Sequence, residues 1–230
     1  MIIDGYNVNN LGAKELSINI QNVSVTNTSQ WVQETLNPYI SDSTTGFKAV
    51  EAKLIISGAS RTEILKKISI MLSKLLSVST IKFDEFEHNF LLVLADEGVT
   101  EKTIDPCTYI KTFNLCGLEF GDKETLNIEN KVVATIDYKG TAKTPLSMKI
   151  TPSSSENLTI VLNKNTLKIN NVTAGKEINI DSINEEILEN NINKYSDTDL
   201  WQFPFLEYGY NSINFSQNVK CNFEYNERFL

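Results

Sequence analysis

Few side chains in this 230-residue chain are of types that do chemistry. There is one imidazole, His88, set between Glu87 and Asn89. A Ser–His–Asp or Cys–His arrangement needs that imidazole beside a nucleophile and an orienting acid, and no local pattern supplies either. The cysteines Cys107, Cys116 and Cys221 have no zinc spacing. So sparse and odd a set reads as small apolar side chains in strands, in a reducing compartment. Asp84, Glu85 and Glu87 form one acidic group, and Asp197 and Asp199 another. Neither has the calcium-loop pattern of spaced acids, a glycine and a distant Glu, so both read as solvated turn charge. Phosphate loops, dinucleotide fingerprints, the H-E-x-x-H helix and the nucleophile elbow are absent from the sequence. The expectation is a non-enzyme with no catalytic residue, metal ligand or cofactor. Many carboxylate pairs exist among 29 acids, but nothing selects one for glycoside hydrolysis. The aromatic window Trp201, Phe203, Phe205, Tyr208 and Tyr210 is more suggestive. Exposed, such rings could stack on sugars; alternating, Trp201, Phe203 and Phe205 could instead bury one face as core.

Twenty-one basic residues against 29 acidic ones leave a net charge of −8. Stable nucleic-acid binding is not expected, because a phosphate backbone needs a basic stripe. With 41% hydrophobic and 22% charged residues the composition is globular. No apolar run approaches the ~20 residues of a membrane helix, so no membrane partner is expected. The start, MIIDGYNVNN, turns polar at Asp4 and lacks a basic region, so no secretory signal is expected.

The elements that must position these residues fall into two groups. Residues 15–25 and 48–57 read as strands. Ser60-x-x-Glu63 has capping-box spacing, with Glu63 expected to reach back to the Ser60 amide. Ile64, Leu65, Ile68, Met71, Leu72, Leu75 and Leu76 then predict one apolar helical stripe on a sheet. Residues 80–95 predict a hairpin with its turn at Asp84–Asn89, and 108–120 a long alternating strand. Trp31, Val32 and Leu36 lie in a segment of undefined type. Beyond it, candidate strands at 132–138, 146–150, 158–162, 167–170, 177–181, 211–215 and 219–225 predict an all-β region. Residues 183–193 fit a short helix or an irregular excursion. Of 26 asparagines, 9 lie in positions 1–115 and 17 in 116–230. That shift, with the polar stretch 121–131, predicts an α+β domain over 1–123 (a sheet with one helix and a hairpin) and an all-β domain over 124–230.

The closing segment, DTDLWQFPFLEYGYNSINFSQNVKCNFEYNERFL, resembles the end of distal tail proteins of long-tailed, non-contractile bacteriophages. The matching residues are Trp201, Phe203, Pro204, Leu206, Gly209, Asn211 and Ile213, then Val219, Cys221, Phe223, Tyr225, Arg228, Phe229 and Leu230. The opening MIIDGYNVNNLGA and the Gly140-Thr141 and Thr144-Pro145 pairs are similar to the family's corresponding segments. Cys221 stands where a branched aliphatic is usual, and Tyr208 where proline is common. The resemblance implies a ring-forming first domain, a galectin-like β-sandwich second domain and a place at the tail tip of the virion. It implies six copies around a channel for the tape measure protein and DNA, with a tail or tube protein on one face and a baseplate or fibre protein on the other. About 100 residues follow the domain boundary, enough for a sandwich but not for the long arm some relatives carry. A carbohydrate-binding module adhering to host cell-wall polysaccharide is the alternative reading.

Overall fold

The computed structural model describes residues 1–30, 39–163, 165–200 and 202–230. Trp31, Val32, Leu36 and Trp201 therefore lie outside the described residues. The chain divides into two compact units, Met1–Phe120 with Leu230, and Gly121–Phe229.

Among the described residues the first unit holds a main antiparallel sheet with one α-helix, and a separate pair of strands, Val25–Gln30 with Tyr39–Thr45. Strand Ala13–Gln21 pairs with Lys48–Ser57, which pairs with the strand that starts at Thr108. On its other edge that strand pairs with Asn89–Asp96, then Ser79–Lys82, then Ile2–Ile3. Lys48–Ser57 alternates as its sequence requires, with Val50, Ala52, Leu54 and Ile56 buried. The helix is Arg61–Leu75. Ser60 caps it, its Oγ accepting from the Glu63 amide at 3.3 Å. Glu63 does not return to the Ser60 amide: its Oε2 accepts from the Ala59 amide at 2.8 Å, while Lys67 holds Oε1 at 2.8 Å. The stripe is also narrower than its apolar residues suggest. Ile64, Ile68, Met71 and Leu75 are buried at i+4, i+3, i+4 spacing, whereas Leu65 and Leu76 face solvent. One sheet face accommodates only that single row.

The hairpin turn at 83–88 is more than a solvated loop. Phe86, from inside it, closes an aromatic trio with Phe83 and Phe90, at centroid distances of 6.3, 5.4 and 6.0 Å. The polar stretch 121–131 opens the second unit. It is strand, within Thr108–Tyr138. On one of its faces Lys123 meets Glu224 at 2.6 Å, Asn222 meets Asn127 at 2.7 Å and Lys220 meets Glu129 at 3.0 Å. Polarity there marks a solvated sheet face, not a break in the strand.

In the second unit the two candidate strands at 211–215 and 219–225 are one, Gly209–Phe229. Its early part pairs with Leu158–Leu162 and its later part with Ser147–Pro152. Outward from these lie Asn165–Ile169 and Thr198–Leu200 on one side, Ile178–Asp181 and Glu186–Glu189 on the other. Met148, Ile150, Ile160, Ile169, Ile180, Ile213, Cys221 and Phe223 belong to one core. Burial pushes the Cys221 thiol well above its ordinary range. Residues 183–193 hold no helix but a hairpin, Glu186–Glu189 with Ile192–Asn193. Asn190 and Asn191 turn it at φ of +49° and +63°, a conformation asparagine tolerates better than most residues.

Candidate assembly site

Among the resemblance-bearing residues, those at 140–145, 203–206 and 225–228 come from stretches far apart in sequence, and the second unit brings them together at one corner. Thr144–Pro145 pairs with Phe205–Leu206, and the Leu146 amide donates to the Pro204 carbonyl at 3.0 Å. Leu206 is fully buried. Phe203 stacks on Tyr195, with centroids 6.3 Å apart. Lys143 lies 4.8 Å over the Phe205 ring and pairs with Glu207 at 2.7 Å.

Tyr138, which sequence reasoning did not single out, centres the corner. Its hydroxyl donates to the Ala142 carbonyl at 2.7 Å and accepts from the Arg228 amide at 2.8 Å. Its ring meets Tyr225 edge-on at 5.9 Å. The Ala142 amide donates to the Arg228 carbonyl at 3.0 Å, and Thr144 Oγ1 to the Asn226 carbonyl at 2.7 Å. Burial holds the Tyr138 phenol above its ordinary pKa and pulls the Arg228 guanidinium below its own. The available signal was Gly140, two residues after an apolar Tyr, but nothing local distinguishes it from a turn glycine.

Asn211 is the second fixed point. It is buried, and its side chain uses its whole hydrogen-bonding capacity. Nδ2 donates to the Glu207 carbonyl at 2.7 Å and the Gly209 carbonyl at 2.9 Å. Oδ1 accepts from the Glu207 amide at 3.0 Å and from Asn163 Nδ2. Residues 207–211 are thereby closed into a ring around one amide, with Gly209 at its apex. Asn211→Ala is expected to lower unfolding free energy by about 2–4 kcal/mol, because buried partners are left unpaired. Urea denaturation checks this; a midpoint equal to wild type contradicts it.

His88, the lone imidazole, stands in the first unit at 2.7 Å from Glu119, whose other oxygen takes buried Lys48. Burial pushes the Glu119 carboxyl up, but the bonds from Lys48 and His88 outweigh it and hold the pKa below the ordinary 4.5. A carboxyl lowered on folding adds stability above its unfolded pKa and loses it as pH falls through the folded one. Glu119→Gln is therefore expected to be less stable than wild type at neutral pH, with the gap narrowing from about pH 5 to about pH 3. Thermal midpoints across that range test this, and a gap that widens in acid contradicts it.

The acids of the two sequence clusters do not gather. Among the described residues, no group of three or more His, Cys, Asp or Glu could hold a metal ion. The second unit has a surface depression of about 370 Å³ lined by Lys123, Lys149, Asn179, Asp181 and Glu224, where Lys123 and Lys149 both neutralise Glu224. A shallower one of about 280 Å³ lies against Lys143, Pro145, Phe203, Phe205 and Arg228. The corner is thus built to hold backbone in place.

Residues 139–229 match the profile of a family described as a siphovirus-type tail component, C-terminal domain. Curated protein sequences give no match. Among solved structures, the Dit protein of phage SPP1, described as a paradigm of the hub adsorption apparatus in phages infecting Gram-positive bacteria, is similar over 100% of this chain and 98% of its own. The TM-score is 0.77 at 14% identity. Chains of the phage P2 baseplate, in its activated conformations with calcium and with strontium, cover 96% of this chain and 92% of their own. Their TM-scores are 0.56 and 0.55, at 14% and 15% identity. Residues 139–229 thus resemble the siphovirus-type tail component family, and over its whole length the chain shares the fold of the SPP1 Dit protein.

Proposed function

We propose that this protein is a structural hub of a phage tail tip, without catalysis or cofactor. Six copies form a ring through a first domain at 1–123, and the second domain at 124–230 is a galectin-like sandwich. The ring joins the tail tube to a baseplate or fibre protein, and its channel passes the tape measure protein and DNA. The observation that carries this reading is the fold shared with SPP1 Dit across the full chain. The family-profile match over 139–229 supports it. Phe203, Pro204, Leu206, Gly209, Asn211, Tyr225 and Arg228 serve structurally, keeping the second domain's surface fixed for its partners.

Charge agrees with the role. Six copies at −8 each carry −48, and an acidic channel wall repels passing DNA rather than holding it. Mass photometry is expected to give particles near six times 25.9 kDa, and electron microscopy a ring with a central hole. Tails made by a deletion phage and complemented with labelled protein should carry label at the tip. Complete, infectious tails without the protein would refute the hub, and a channel lined with Lys and Arg would refute the charge argument. A second reading, adhesion to host-wall glycan, is favoured by one observation: Tyr208 and Tyr210, from the aromatic window, face solvent.

A further inference from the structure

Tyr208 and Tyr210 are 74% and 80% exposed, the most open aromatic rings among the described large apolar side chains. Rings so exposed add little to the core beneath them. Yet the turn that presents them is held like a core element, by the fully bonded Asn211 amide. A surface whose rings are displayed but whose backbone is fixed is preorganised for a ligand, because little conformational entropy remains to be lost on binding.

The surroundings select the ligand's chemistry. Both phenols lie within electrostatic reach of the Lys139 ammonium, which pairs with Asp137. Glu207, next to Tyr208 in the chain, pairs with Lys143. All four charged side chains are exposed by at least a third, from 36% at Asp137 to 68% at Lys143. Two carboxylates and two ammonium groups leave no net charge, so neither a polyanion nor a polycation is favoured. A sugar hydroxyl both donates and accepts, and so can use both members of each pair, while the C–H face of a sugar ring packs on a phenol. The centre of a protein interface, by contrast, is depleted of charge, and here ion pairs stand beside the rings.

We propose that Tyr208 and Tyr210, with the Asp137–Lys139 and Glu207–Lys143 pairs beside them, form a platform for a neutral polysaccharide. This rests on the adhesion reading and gives it a site. The test is binding of the full-length protein to an array of neutral, phosphorylated and uronic-acid oligosaccharides, repeated with Tyr208→Ala, Tyr210→Ala and the double variant. Wild type is expected to bind neutral oligosaccharides, each single variant to bind about tenfold more weakly, and the double variant to lose detectable binding. Thermal midpoints should stay near wild type, because neither ring is core. Wild type binding no glycan would overturn both the adhesion reading and the platform. Neutral-glycan binding unchanged in the double variant would leave adhesion standing and overturn this site. Binding restricted to the anionic oligosaccharides would overturn the charge-balance argument. Unchanged glycan binding with lost incorporation into tails would reassign the tyrosines to a protein partner.

Discussion

Gly117→Ala is expected to abolish folding of the first unit. Gly117 lies in the strand starting at Thr108, opposite Lys48 on one neighbour and Leu92 on the other. A Cβ there would sit 1.9 Å from the Leu91 carbonyl oxygen and 3.0 Å from the Leu91 carbonyl carbon and the Leu92 Cα. These are backbone atoms of a paired strand, so no rotamer change relieves the overlap. Separating the strands would break the ladder that buries Phe90, Leu92 and Leu115. Overpacking of flexible side chains costs about 1–3 kcal/mol, and a rigid backbone clash exceeds that. Against a typical stability of about 5–15 kcal/mol, the first unit should be largely unfolded or insoluble. Limited proteolysis is expected to degrade residues 1–120 and leave a protected fragment of the second unit. A variant whose thermal midpoint lies within about 3 °C of wild type, well under the shift such a penalty implies, would disprove the argument.

Gly140→Ala should be nearly as damaging, by a different route. The added Cβ would meet the Tyr138 hydroxyl at 2.2 Å, its ring carbon Cζ at 2.4 Å and the Arg228 carbonyl at 2.7 Å. Tyr138 cannot swing aside without giving up its bonds to Ala142 and Arg228. The expected loss is about 3 kcal/mol or more. A double-mutant cycle identifies the cause. Tyr138→Phe removes only the hydroxyl and leaves the ring carbon in place, so Gly140→Ala with Tyr138→Phe should be no more stable than Gly140→Ala alone. Recovery in the double variant would mean that the hydroxyl, not the ring, occupies the space. If the corner orients the second domain for its partners, Gly140→Ala should also reduce incorporation into tails more than an equally destabilising core substitution does.

The sequence made some of this legible and hid the rest for physical reasons. Strand alternation was readable where one face of a strand is core: Val219, Cys221 and Phe223 are buried, as their spacing predicts. The helix announced itself through Ser60 and Glu63. Its stripe was overread because Leu65 and Leu76 are apolar without touching the sheet. The two units divide at the start of the stretch 121–131, but that the stretch is itself strand was hidden, because its polar side chains pair across strands with residues about a hundred positions away. Partnerships of that kind leave no local pattern. The hairpin at 186–193 was illegible by hydrophobicity but carried a signal in Asn190-Asn191. At the candidate site, the resemblance pointed to Asn211, Tyr225 and Arg228 without saying why those residues matter. Tyr138 and Asn163, which bind them, were invisible because their contacts exist only in three dimensions.

The bond between Tyr138 and Arg228 spans ninety residues, and this sets an order of events during synthesis. Chains emerge from the ribosome N-terminal end first. The sheet and helix of the first unit pair residues within 1–120 and can close while the second unit is still being translated; Leu230 alone joins that unit late. The second unit cannot. Its segment at 138–146 must wait for Asn226 and Arg228 before its corner can lock, and such distant pairings are slow to form. A nascent chain therefore passes through a stage with a first unit complete but for Leu230 and an open second one. A chain truncated before residue 226 would stop at that stage. If six subunits must close a ring, such a chain could occupy a position in it while lacking the latch, so late synthesis of the latch makes premature termination a route to poisoned assemblies as well as to missing subunits.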